Sequence, residues 1–184
     1  MRVFRMVMPV LLLFALASPT VSAGNDPMHK QVPIKGTVVG VDTFSPFDPG
    51  CDFGFVPEGW FPYRFTTKGT GNVSHLGKVD FVLDNCSALN PDFTAGVIGY
   101  GTITFTAANG DVLVVEHEGT TKATSPTEYT ADYIWQILGD EGTGRFEGAT
   151  GKGTSIGLTS VPGGTSKITL RAMIAYDASN RSNR

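Results

Sequence analysis

An all-β domain is the fold class this sequence predicts. Apolar side chains alternate with polar ones at a period of two along one segment after another, and turn signals stand between the segments. No apolar 3.6-residue pattern persists for ten residues beyond the N-terminal leader. Seven or eight strands with short turns form a closed barrel or a β-sandwich. The strand lengths and the run of hairpins favour a single antiparallel barrel, with the sandwich as runner-up.

Residues 1–23 read as a cleaved signal peptide. Arg2 and Arg5 make the start positive, Val10–Ala17 (VLLLFALA) is the apolar run, and Val21-Ser22-Ala23 is the cleavage motif. That run is too short to span a bilayer, and no other segment could cross as a helix. The expectation is a secreted or periplasmic protein, cut after Ala23, without a transmembrane anchor. Residues 24–31 form a polar lead-in, and residues 32–184 the barrel domain.

Within that domain Ile34–Thr43 is the first candidate strand. Phe44–Phe65 (FSPFDPGCDFGFVPEGWFPYRF) breaks the pattern with eight aromatic residues and four prolines. Pro46, Pro49, Pro57 and Pro62 argue against a central strand. The segment reads as a cover over one barrel end or an outer face, or as a lid over a cavity, tied through Cys51 to a strand ending near Cys86. Alternation resumes in Lys78–Asp84 (Val79, Phe81, Leu83) and Gly101–Ala107 (Ile103, Phe105, Ala107). Asn109-Gly110 then predicts a tight type I′ hairpin into Asp111–Gly119. Glu128–Leu138 lines up Tyr129, Ala131, Tyr133, Trp135 and Ile137. A weaker strand over Lys152–Ser160 and a turn at Val161–Gly164 lead to Lys167–Asp177, with Ile168, Leu170, Ala172, Ile174 and Tyr176 on one face.

The stretch Gly142–Gly153 (GTGRFEGATGKG) fails both phosphate-binding templates. The dinucleotide fingerprint needs glycine where Glu147 stands, and in the P-loop register Phe146 occupies the first glycine and Gly153 the hydroxyl position. Flanked by strands, it reads as a glycine-bent corner. Phe146 is expected to tuck back as a plug at the barrel end, and Arg145 to pair with Glu141 or Glu147.

The formal net charge of −3 deepens when the leader's arginines leave, and no basic run is present, which argues against a nucleic-acid partner. Cys51 and Cys86 most simply pair in an oxidising compartment, with two free thiols as the alternative. His29, His75 and His117 are scattered and form no ligand cluster, so neither a metal nor a cofactor is expected.

The segments Val73–Lys78 (VSHLGK), Ile103–Asp111 (ITFTAANGD) and Gly142–Gly153, with its Gly-Thr-Gly-Arg-Phe core, resemble the allene oxide cyclase and dirigent barrel group, including exported bacterial relatives. The resemblance spans roughly residues 71–160. It implies an eight-stranded antiparallel barrel with a small apolar cavity, often oligomeric, whose activity comes from shaping a pocket around a reactive guest. No functional polar residue of that group aligns onto this chain.

Candidate chemistry is sparse. In Glu116-His117-Glu118 the glutamates share one strand face and His117 takes the other. If Val112 and Val114 point inward, Glu116 continues their row and is the carboxylate to watch. His75 beside Gly77 either fixes the start of a strand or serves as an acid or base. Gly153-Thr154-Ser155-Ile156-Gly157 spells a nucleophile elbow but lies in a strand, without the helix such an elbow requires. The expected function is a small-ligand-binding or structural barrel, holding an apolar guest between Phe105, Tyr129, Tyr133, Trp135 and Trp60 and able to form a homo-oligomer. The alternative is a pocket-type cyclase or isomerase, or a coupling-directing protein, with Glu116 or His75 projecting into the cavity.

Overall fold

The computed structural model describes residues 31–161 and 163–177; the leader, most of the lead-in and Pro162 lie outside these residues. Eight strands follow one another around a closed antiparallel barrel. They are β1 (Val32–Pro46), β2 (Phe61–Val73), β3 (Gly77–Leu89), β4 (Ala95–Ala107), β5 (Val112–Ser125), β6 (Glu128–Ile137), β7 (Thr150–Ser160) and β8 (Thr165–Ala175). Each strand pairs with the next, and β8 returns to β1 with Gly36 opposite Leu170 and Val41 opposite Thr165. Closure leaves no unpaired edge.

The period-two pattern translates into an inside and an outside. Ala131, Tyr133, Trp135 and Ile137 of β6 are buried, and Asp132, Ile134 and Gln136 between them are exposed. The barrel centre is solid: Phe81, Leu83, Ile103, Phe105, Leu113, Val115, Ile168, Leu170 and Ile174 are each at most 2 % exposed. Phe81 and Phe105 lie nearly parallel there, with ring centroids 6.5 Å apart.

Strand β2 is a correction to the sequence reading. Pro46 closes β1 opposite Tyr63, and Pro62 is the second residue of β2, opposite Ala88. Proline is tolerated there because the β1–β2 ladder begins only at Tyr63, while the Pro62 carbonyl still accepts the Phe47 N–H at 3.0 Å. Further along, Thr67, Gly69 and Gly71 interrupt the inward row that Tyr63 and Phe65 begin, so the apolar alternation stops after Phe65.

The aromatic segment between β1 and β2 therefore shortens to residues 47–60. It covers an outer face. The Cys51–Cys86 disulfide fastens it to the outside of β3, the Phe55 ring packs on the Gly99 backbone, and Asp48 lies 3.8 Å from Arg64. Ala88, two residues beyond Cys86 on the same outer face, is fully buried.

At one barrel end the β4–β5 connection differs from the expected type I′ turn. Ala107 N–H bonds Asp111 C=O at 2.9 Å and Gly110 N–H bonds Ala107 C=O at 2.8 Å. Gly110 alone, at φ 86°, is left-handed, whereas a type I′ turn would place Asn109 there too. The connection is a three-residue loop with its glycine last.

Of residues 142–153, 142–149 form the corner at that same end, with one 3-10 turn at Gly144–Phe146, and 150–153 already belong to β7. Phe146 is wholly buried and, with Leu76 and Ala149, joins the core cluster as a plug, its ring 5.3 Å from that of Tyr176. Arg145 pairs with Asp111 at 3.2 Å, not with Glu141 or Glu147. Gly144, at φ 61°, sits so close to Asp111 that a β-carbon would lie 2.0 Å from its Oδ1. Thr143 N–H donates to Val112 C=O at 2.9 Å, and its Oγ1 accepts the Val112 N–H at 3.1 Å. The glycine-rich stretch thus clamps the β4–β5 turn and closes the barrel.

Candidate functional site

The opposite end is open. Between the tops of the strands lies a cavity of about 90 Å³, lined by Phe44, Tyr63, Phe65, Asn85, Ser87, Leu89, Ile98, Thr121, Tyr129, Ala131, Tyr133, Thr159 and Val161. One water needs roughly 10–15 Å³ of such space and a drug-sized ligand about 300 Å³ or more. The cavity therefore suits a guest of several non-hydrogen atoms. Its rim is aromatic: Phe44 lies 4.5 Å from Tyr63 and 6.2 Å from Phe61, and Phe61 contacts Phe47 at 5.0 Å. Tyr129 hydroxyl donates to the Phe93 carbonyl at 2.8 Å and anchors the β3–β4 loop over this rim.

Polar groups line the walls and floor. Tyr63 is 7 % exposed, and burial, only partly offset by a hydrogen bond with Ser87, pushes its phenol up to about 12. Burial raises Tyr133 as well, so both rings stay neutral donors at physiological pH. Ser87 hydroxyl donates to Asn85 Oδ1 at 2.6 Å, which turns the Asn85 amide nitrogen toward His117 Nε2, 3.4 Å away. His117 is 2 % exposed and meets Tyr133 edge-to-face at 5.2 Å. Burial lowers its pKa to about 4, so it is neutral, with its proton on Nδ1 if Asn85 donates to Nε2. Among the described residues His117 Nδ1, Trp135 Nε1 and Ser155 Oγ have no protein partner. Buried polar atoms of this kind are usually satisfied by water or a ligand.

One carboxylate joins this interior. Asp42 and Phe44 are successive inward residues of β1. Asp42 accepts hydrogen bonds from Thr67 at 2.8 Å and Ser166 at 2.9 Å, and Ser166 continues to Thr159 at 2.8 Å. Burial raises the Asp42 pKa, against the lowering effect of the two hydroxyls.

The structure brings together only part of the expected set. Tyr129 and Tyr133 line the cavity. Trp135 is buried beside His117, opposite it in the ladder, without lining the cavity. Phe105 belongs to the solid centre, and Trp60 lies half-buried at the end of the covering segment. Glu116 stands on the outer face, hydrogen-bonded by Gln136. The inward row of β5 is Leu113, Val115 and His117, so the conditional placement of Glu116 inside is corrected. Val114 is nevertheless buried, and that burial on both faces misdirects the parity. His75 is exposed in the β2–β3 turn at φ 67°, its Nδ1 3.3 Å from Tyr176 Oη at the closed end.

Asp42, Tyr63, Asn85, Ser87 and His117 were missed as site residues. Parity alone could have found two of them, because Val38, Gly40 and Asp42 share a face, as do Leu113, Val115 and His117.

The geometry defines a closed eight-stranded antiparallel barrel, plugged at one end and open at the other over an aromatic, hydroxyl-lined cavity. Comparison with family models, curated proteins and solved structures returns no match. The disulfide fits an oxidising, extracytoplasmic compartment.

Proposed function

We propose that the protein is a secreted barrel that holds one small guest noncovalently in its mouth cavity. The observation that carries this reading is the asymmetry of the two ends: Phe146 seals one completely, whereas the other retains space bounded by five aromatic rings. Side chains fill small barrels unless a ligand takes their place. The cleavable leader and the disulfide support export, with processing after Ala23. The three segments that carry the resemblance to the allene oxide cyclase and dirigent group lie mainly at the sealed end. They support kinship of fold and leave the chemistry to the mouth.

Native mass spectrometry of the disulfide-intact secreted protein tests the reading. The expected result is a bound small molecule, or uptake of one from a mixture of small aromatic and aliphatic compounds. A clean apo mass without uptake, together with unmoved NMR signals of Tyr63, Tyr129 and Tyr133, would overturn it.

A second reading, a cyclase or isomerase, rests on the neutral His117 against Tyr133. Here Tyr133 would donate a hydrogen bond to an oxygen of the guest while the walls hold one conformer. Tyr133→Phe should then retain guest affinity and lose turnover, whereas equal turnover by the two proteins would exclude the reading.

A further inference from the structure

The chemical class of the guest follows from charge, on the reading that the mouth cavity is the site. We propose that the cavity selects a small organic cation, an amine or methylated ammonium, over neutral or anionic molecules of the same shape.

Two independent observations carry this. The first is inside. Asp42 is the sole acid on the inward strand faces of the described residues, and the groups bonded to its carboxylate are the hydroxyls of Thr67 and Ser166. The titratable group that feels its charge is Tyr133, a neutral phenol; Tyr63, equally neutral, and the neutral His117 stand next to Tyr133. Among the described residues no inward strand position holds lysine or arginine. Lys35, Lys68, Lys78, Lys122, Lys152, Lys167 and Arg171 are all exposed, and Arg64 is paired outside with Asp48 and Asp84. Asp42 lies one inward step, about 7 Å along the strand, below Phe44, whose ring lines the cavity.

The second observation is the sign of the charge around this end. The connections here carry Asp48, Asp52, Glu58 and Asp92 and no lysine or arginine; Asp48 is paired with Arg64 on the outer wall, and the remaining acids leave this end net negative. Such a surplus attracts cations and repels carboxylates. Five aromatic rings supply the remaining half of the recognition, because ring faces attract ammonium groups that have shed water. A fatty carboxylate meets the wrong sign at this end and again at Asp42.

Choline, dimethylbutanol (carbon in place of the nitrogen) and dimethylbutyrate form a nearly isosteric set that differs in charge. Each is titrated into the intact mature protein and followed by residue-resolved NMR. Choline should shift signals of Tyr63, Tyr129, Ala131 and Tyr133 and bind about tenfold more tightly than dimethylbutanol, with dimethylbutyrate weakest. Asp42→Asn, confirmed as folded by its spectrum, should remove most of that preference and leave the alcohol's affinity unchanged. Equal or tighter binding of the alcohol, or choline shifts confined to residues outside the cavity, would overturn the cation assignment. If the alcohol still binds in the cavity, the binding-barrel reading survives. If no probe perturbs the cavity, both fall. The comparison on the unaltered protein decides the matter even if the variant fails to fold.

Discussion

At the scale of single residues, His117 and the Asp111–Arg145 pair carry the sharpest consequences. Burial holds the folded-state pKa of His117 at about 4, below its ordinary 6.5. Between these values the unfolded chain binds more protons than the folded one, so stability rises with pH across that window and is lost as the solution is acidified through it. The effect is at most about 3 kcal/mol. His117→Gln should flatten the dependence of urea-unfolding stability between these pH values; an unchanged slope would show that His117 is not its source. Asp42 acts in the opposite sense from its ordinary 3.8 upward, because its raised pKa favours the protonated folded form and its contribution is lost as pH rises. Asp111 is 3 % exposed and is paired with Arg145. Asp111→Ala leaves that guanidinium without its acid in a largely buried corner and should cost about 3 kcal/mol in urea denaturation. This partnership was not legible beforehand, because Asp111 and Arg145 are brought together only when two turns meet.

At the scale of elements, seven of the eight strands were legible, because one buried face against one solvated face writes itself as alternation. Strand β2 was not. Its inward row loses its apolar character at Thr67, Gly69 and Gly71, and its one proline, Pro62, stands at the barrel rim, where the usual objection to it lapses. The fate of residues 47–60 was half legible: their aromatic content required burial, but whether on a wall or across the mouth depended on where Cys86 points. Opening the bridge with Cys51→Ser and Cys86→Ser should cost roughly 4 kcal/mol on chain-entropy grounds, read as a lower urea midpoint. Guest affinity should change little, since none of the segment's residues lines the cavity; a large loss would mean that it closes the mouth. Phe146→Ala, which empties the sealed end, should cost about 3–5 kcal/mol in the same measurement.

At the scale of the whole molecule, the candidate site was less legible than the fold. An aromatic row such as Tyr129, Tyr133 and Trp135 looks the same whether it packs against a core or faces a cavity. The difference arises from what the opposite wall contributes, and that depends on how far up the barrel each register places its bulky residues. The centre fills because Phe81, Phe105 and their neighbours meet there; the mouth remains open because Asn85, Ser87, Thr121 and Thr159 are too small to fill it.

The pairing of β1 with β8 also has a consequence for timing. Val41 faces Thr165, so the seam that completes the barrel joins the first strand to the last. As the chain is made from its N-terminus, β1 has only β2 as a neighbour until nearly the whole domain has been synthesised. Premature closure is topologically barred while β8 is still being made. Long-range closure of this kind is slow, so refolding from urea should be limited by the β1–β8 seam. Severing the β4–β5 loop and joining the natural ends through a linker moves that seam to β4–β5, so substitutions along the β1–β8 ladder should then lose their effect on the refolding rate.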